Sequence, residues 1–416
     1  MGITLIFFPV EYDVCDKKGS SRGKNNQKKG AQREGSSACR ENRRIYEVLS
    51  FACQDVVIDR VLKTVEEVGT AILSEGVQES SDIQNSSDIQ NSSEIQNSSE
   101  IQNIPDNLQN RRILFAVELD ETGMNIPFYE LLSLFRRYPN CLKDSVAGLL
   151  VDGGGERFTK STARELVYTA NEAGCWFVGC PLTEGTGSLL NYSVRAARRN
   201  CSRYDAYLYS AQSLVKRILQ FKKPYYPHPK LLCIHACNPV TSNTLQLWQL
   251  VKEHLSSKLS VQEVSLRNNS IYDCAGCSYD VCMGFGEKNS CFYKDVIVEK
   301  VYPALENCDG LILLCPNYND AVGANLTAFI NRLTALSRKK SFEDKCLFAL
   351  IVSGYSGGDI LAEQLIAGLN MNKSFILPGG FSLLKTANIQ GSLLEIEDIR
   401  EESAEFASYI NQCMDV

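Results

Sequence analysis

Short apolar runs alternate along this chain with stretches whose apolar residues recur every three or four positions, first between residues 113 and 221 and again, more cleanly, from 231 to 412. Apolar runs of four to eight residues read as strands, and the three-to-four spacing reads as amphipathic helix. The first stretch predicts strands at 113–119, 146–151 and 176–179, helices at 128–137 and 159–172, and a closing helix at about 204–221. That order implies a parallel sheet with right-handed crossovers. The second stretch predicts strands at 231–236, 261–266, 310–315, 347–353 and 374–377. Helices are expected between them at about 244–256, 294–306, 323–337 and 357–370, with another near 396–412. Five such units make a doubly wound sheet, whose ligand belongs at the carboxyl ends of the strands near the switch point.

The flanking sequence sets the domain plan. Residues 1–10, MGITLIFFPV, have no basic leader and no small-residue cleavage site, and read as a buried strand instead of a signal peptide. Residues 45–73 have the spacing of one long amphipathic helix or two, weakened near Gly69. From Ser80 to Asn103 a polar hexapeptide repeats, SSDIQN and then SSEIQN, and one Ile in six cannot bury a core. The segment Lys222–Lys230 holds Pro224, Pro227 and Pro229, which oppose both helix interior and central strand. The plan is an N-terminal α/β domain over 1–222, Rossmann-like, with a disordered insertion at about 76–110. A proline-rich linker at 223–229 leads to a second α/β domain at 230–416.

Charge and composition remove several classes of function. A formal charge of -6 provides no large positive field, so nucleic acid is not an expected partner. The basic stretch Lys17–Arg44 is rich in Gly, Ser and Asn and reads as a solvated loop, with a weak anionic contact as the alternative. No apolar run reaches 18 residues, so no membrane span is expected and the protein is placed in the cytoplasm. Three histidines (His228, His235, His254) leave little from which to build a His-rich zinc site or a Ser-His-Asp hydrolase. Of the seventeen cysteines, most sit singly in apolar runs, as Cys53, Cys175, Cys233, Cys315 and Cys346 do, and act as small hydrophobes.

Candidate chemistry gathers at three strand ends of the second domain. The first strand runs through His235, Cys237, Thr241, Ser242, Asn243 and Thr244 straight into a helix, and backbone N–H groups at such a start suit an anion. An ordinary Ser/Asn-capped helix is the competing reading, and His235 reads as a structural strand-end residue before a phosphate contact. The third strand ends in Pro316, Asn317, Tyr318 and Asn319, and the fourth in Ser353, Gly354, Tyr355, Gly357 and Gly358. Glycines admit close approach of a planar ring, and Tyr318 or Tyr355 offers an aromatic face.

On these residues the stretch from 231 to about 380 resembles the NADPH-dependent FMN reductases of the flavodoxin-like class, and within them the iron-sulfur flavoproteins. The resemblance is carried by Ser242-Asn243-Thr244, by the run CPNYNDAVGANLTAFINR at 315–332, by SGYSGGD at 353–359 and by a cysteine segment. It implies a five-stranded flavodoxin-like domain with the FMN phosphate on Thr241–Thr244 and the isoalloxazine ring between Pro316–Asn319 and Ser353–Gly358. It further implies NAD(P)H as substrate, a quinone, a flavin or a small redox protein as acceptor, and a homodimer. The first loop departs from the family pattern, holding Cys237 and Pro239 where members often carry a Ser and an Arg.

The cysteine segment holds Cys274, Cys277, Cys282 and Cys291. Four thiolates on a short Gly-containing loop can ligate a [4Fe–4S] cluster or a zinc ion, and free or redox-active thiols are the third reading. The iron-sulfur flavoproteins space the third cysteine closer to the second than here. In the N-terminal half, Asp152–Gly155, Thr159–Ser161 and Thr183–Ser188 suit a phosphate or carboxylate but read as plain turns. The leading function is an FMN-dependent oxidoreductase without an acid-base triad. The alternatives are a flavin- or nucleotide-binding sensor or assembly subunit without turnover, and a zinc-stabilised interaction module.

Overall fold

The computed structural model describes residues 3–8, 46–50, 108–268 and 270–416. The hexapeptide repeat, the basic stretch and most of the helix expected at 45–73 lie outside the described residues. Within that expected helix, Tyr46–Ser50 is instead a strand, and its β-branched and aromatic content suits one.

The N-terminal unit is a parallel sheet in the order β2-β1-β3-β4-β5, with β1 Ile3–Phe8, β2 Tyr46–Ser50, β3 Arg112–Leu119, β4 Val146–Gly153 and β5 Trp176–Gly185. Its helices are α1 Ile126–Arg137, α2 Thr159–Glu172, α3 Ser193–Arg199 and α4 Arg203–Gln220. Ser202 and Asp205 close a capping box at the start of α4. The C-terminal unit is a second parallel sheet, β10-β9-β8-β6-β7, made of β6 Lys230–His235, β7 Ser260–Ser265, β8 Gly310–Pro316, β9 Cys346–Ser353 and β10 Ser382–Thr386. Its helices include α5 Asn243–Glu253, α6 Tyr279–Gly286, α7 Tyr302–Asn307, α8 Ala324–Arg332, α9 Thr334–Ser337, α10 Gly358–Leu365 and α11 Ile399–Cys413. Both sheets therefore share the flavodoxin strand order, with the reversal between β1 and β3 in one and between β6 and β8 in the other.

The central strands are near-continuous apolar runs because both faces are covered. Along β6, Leu232 and Ile234 face one core while Leu231 and Cys233 face the other. Along β8, Leu311, Leu313 and Cys315 alternate in the same way with Ile312 and Leu314. Each of these two cores runs through both units without a break. Among the described residues, no helix is long and apolar enough to cross a membrane.

The fifth C-terminal strand is not at 374–377, where the apolar run predicts it, but at Ser382–Thr386. Residues 374–377 lie between the units. Ile376 bridges Cys346 at the foot of β9, while Phe177 of β5 and Leu377 exchange backbone hydrogen bonds of 2.9 and 3.0 Å. The approach is so close that a Cβ on Gly179 would meet the Ser374 carbonyl oxygen at 2.0 Å. Asn171, at the end of α2, is fully buried there. Its Nδ2 donates to the Pro378 and Cys175 carbonyls at 2.6 and 2.9 Å, and its Oδ1 accepts from Phe381 N at 3.0 Å.

Candidate functional site

Parallel strands deliver all their carboxyl ends to one edge, so the loops after β6, β8, β9 and β10 meet there. The first of these begins with His235, whose Nδ1 accepts from Cys237 N at 3.2 Å. Burial lowers the His235 pKa below its usual value, which keeps that nitrogen an acceptor. Asn238 then turns the chain, its Oδ1 taking Val240 N at 3.0 Å and its carbonyl taking Ser242 N at 3.1 Å. Ser242 caps α5, its hydroxyl accepting from Leu245 N at 3.2 Å. Thr241 is exposed, while Asn243, Thr244 and Cys237 are buried. Burial pushes the Cys237 thiol up to about 11, so it stays protonated at neutral pH.

Asn243 is committed to the protein itself. Its Nδ2 donates to the carbonyls of Ala387 (3.1 Å) and Ile389 (2.8 Å), and its Oδ1 accepts from Gly391 N at 2.8 Å. This draws the loop after β10 against the first loop, and Gln390 Nε2 adds a bond of 3.0 Å to the Val240 carbonyl. The 387–391 loop is the part of the site that the sequence reading passed over. Its one signal is that it follows a fifth strand end.

Asn317 latches the third and fourth loops. Its backbone N–H donates to Val352 O at 2.9 Å. Its Nδ2 lies 3.1 Å from Asp320 Oδ1, 3.2 Å from Ser353 Oγ and 3.3 Å from Ser356 O, and its Oδ1 accepts from Asp320 N at 2.8 Å. Asn319 and Asp320 both hold φ of 55°, in the left-handed region that Asn and Asp tolerate best after glycine. Gly357 has φ of 91°, and a Cβ there would sit 2.2 Å from Asp320 Oδ1, so only glycine fits between the two loops. Tyr355 is bound at its hydroxyl by Asn388 Nδ2 at 2.7 Å yet is 76% exposed, Tyr318 is 56% exposed and Ile389 is 75% exposed. The structure thus brings Thr241, Ser242, Pro316–Asn319, Ser353–Tyr355, Gly357 and Gly358 to one edge. It leaves apolar and aromatic faces open around the backbone of α5.

Residues 229–388 match the family model of NADPH-dependent FMN reductase. The C-terminal part of the chain is an FMN reductase domain. Among solved structures the chain is similar to an NADH:FMN oxidoreductase in its apo form, at 17% identity over 45% of this chain and 90% of the other, with a TM-score of 0.32. It is similar also to an FMN-dependent NADH-azoreductase from Bacillus anthracis in complex with FMN, at 12% identity over 44% of this chain and 99% of that one, with a TM-score of 0.30. No curated protein matches the chain in sequence.

In the FMN reductase domain the cysteine segment does not form the ligand set that its spacing suggests. Cys274 is exposed, Cys277 and Cys282 are half-buried and Cys291 is buried. Among the described residues, no group of three His, Cys, Asp or Glu side chains is placed to hold a metal ion. The reason is local: helix α6 forms between Cys277 and Cys291 and carries Cys282, while Cys291 packs into the core beside Tyr302. The segment is pinned by Arg332, whose fully buried guanidinium donates to the carbonyls of Tyr272 and Tyr293 at 3.2 and 2.7 Å and pairs with Asp295 at 2.5 Å. Tyr279 lies under two guanidinium groups, Arg338 at 4.3 Å and Arg198, from the N-terminal unit, at 4.8 Å.

Proposed function

We propose that the FMN reductase domain binds FMN at this edge and moves electrons from NAD(P)H to a small acceptor, a quinone or a second flavin. The observation that carries the reading is the convergence of four strand-end loops at the β6/β8 switch point, inside the segment that matches the family. The residues suit the group. The leading N–H groups of a helix have no intrahelical partner. At α5 the Ser242 hydroxyl takes that of Leu245 and the Ser242 carbonyl takes that of Gln246, which leaves those of Asn243 and Thr244 for a phosphate, with the Thr241 and Ser242 hydroxyls beside them. Cys237 and the Asn243 side chain support this loop from beneath and do not themselves contact the phosphate. Backbone at Pro316–Asn319 and at Ser353, Gly354, Gly357 and Gly358 lines the ring, and Tyr318 and Tyr355 flank it.

Bound flavin supplies the hydride chemistry, accepting at its own ring nitrogen. The protein's share is orientation. Asn317 fixes the third loop against the fourth, and Asn243 fixes the loop after β10 against the first. No side chain at the edge is required to move a proton, and the neutral, buried His235 and the protonated Cys237 agree with that. The domain division, 1–222 and 230–416 about a 223–229 linker, and a cytoplasmic location belong to the same reading. A [4Fe–4S] cluster on Cys274, Cys277, Cys282 and Cys291 is supported by the thiol count of one segment and not by its geometry.

A second reading, a flavin-binding assembly subunit without turnover, is favoured by the depth of the contact between the two units. Titration of the full chain with FMN, followed by quenching of flavin fluorescence, and then turnover of NADPH with menadione separates the two. Binding with turnover supports the reductase, binding without turnover supports the subunit, and absence of binding removes both.

A further inference from the structure

A phosphate monoester carries roughly -1.5 to -2 charges at neutral pH, and a helix N-terminus offers only about half a positive charge. A cationic side chain beside the helix start would add to that neutralisation. Among the described residues of the strand-end segments 236–242, 266–268, 317–323, 354–357 and 387–391, the charged ones are Arg267 and Asp320. Asp320 has the wrong sign and is bound into the latch between the third and fourth loops.

Arg267 is well placed. Strands β6 and β7 run in register through His235 and Ser265, and Leu266 N donates to His235 O at 2.7 Å. The next residue therefore leaves the sheet beside Ala236 and Cys237, where the first loop begins. The strand end is held from the other side too, since Asn325 Nδ2 of α8 donates to Leu266 O at 2.9 Å. Asn268, with φ of 59°, turns the chain at once, and Arg267 is half-buried. Its charge is felt in the loop. Burial drives the Cys237 thiol pKa up, while the Ser242 hydroxyl and the Arg267 guanidinium pull against that rise.

We propose that Arg267, reaching across from the neighbouring strand end, is the cation that receives the flavin phosphate and replaces the charge that the first loop lacks. The proposal rests on the reading of this edge as a flavin site. Guanidinium suits the role because its fork meets two phosphate oxygens at once.

The test uses FMN and riboflavin, which share the ring and differ in the phosphate, titrated into the full chain and into Arg267→Gln and Arg267→Lys. The expected result is that Arg267→Gln weakens FMN by about 10- to 100-fold, as loss of a charge-assisted contact does, and leaves riboflavin unchanged. Arg267→Lys should recover part of the loss, and the salt dependence of FMN binding should flatten in Arg267→Gln alone. Equal weakening of both ligands, or no change with FMN, overturns the proposal. If the unaltered chain binds FMN no tighter than riboflavin, the proposal falls and the flavin site stands. If it binds neither, the flavin reading itself falls and this one goes with it.

Discussion

The two sheets share strand order and glycine-bearing strand ends, yet they use those ends differently. At the described strand ends of the N-terminal unit, after β4 and β5, several polar groups are answered within that unit. Tyr207 OH donates to Asp152 Oδ1 at 2.7 Å, Thr159 Oγ1 to Glu184 at 3.0 Å, and Ser188 N to Glu156 at 2.7 Å, while Gly187 N closes onto Gly155 O at 3.0 Å. In the C-terminal unit the latches Asn243 and Asn317 join one loop to another and leave Tyr318, Tyr355 and Ile389 facing outward. What separates the described loops of the two edges is the chemistry of the ties, the carboxylates Asp152, Glu156 and Glu184 in the first and the neutral amides Asn243 and Asn317 in the second.

The sharpest way to break this contrast is at Gly357. Gly357→Val places a branched side chain at positive φ against Asp320, and the left-handed conformation alone costs about 1–2 kcal/mol before the steric clash is added. We expect a total of about 3 kcal/mol or more by chemical denaturation together with loss of measurable FMN binding. A variant that binds FMN normally would show that the third and fourth loops do not need their close approach. Next, Asn243→Ala removes three bonds from a buried amide. It should cost about 2–3 kcal/mol and raise hydrogen exchange in 387–391 without raising it in 317–323. Tyr207→Phe is the matching change in the other unit. One lost bond should cost about 1 kcal/mol, and FMN affinity should not move. A shift in FMN affinity with Tyr207→Phe would mean that the two edges communicate.

The smallest effect expected is that of pH on His235. Its folded pKa lies below the ordinary value of 6.5, so the unfolded chain binds the proton more readily. The stability it contributes is complete above about 6.5 and is lost as pH falls from there to the lowered folded value. The urea midpoint should therefore drop less between pH 7 and pH 5.5 in His235→Gln than in the unaltered chain. Identical drops would exclude this histidine as a source of acid sensitivity.

The pattern of apolar residues reveals most of the fold because β6, β8 and β9 are buried on both faces and so read as unbroken runs. It misplaces the fifth strand for a reason equally physical. Phe375, Ile376 and Leu377 are more apolar than Ser382–Thr386, but their burial comes from wedging between two units, which no local pattern records. The loops after β6, β8 and β9 are legible as polar, glycine-bearing strand ends that share one edge. Asn243 is legible only as a polar residue at a helix start, since its partners lie more than 140 residues away. The cysteine spacing likewise cannot reveal that α6 forms in its midst and sends Cys282 and Cys291 to different depths.

The backbone pairing of Phe177 with Leu377 also bears on how the molecule comes into being. The first unit leaves the ribosome ahead of the second, as N-terminal domains do, and until residues 374–377 are synthesised Phe177 on the edge of β5 lacks its Leu377 backbone partner. A bare strand edge is a template for unwanted pairing. The newborn chain therefore passes through an interval in which the start of that edge awaits its own second half and a neighbouring chain is the competitor.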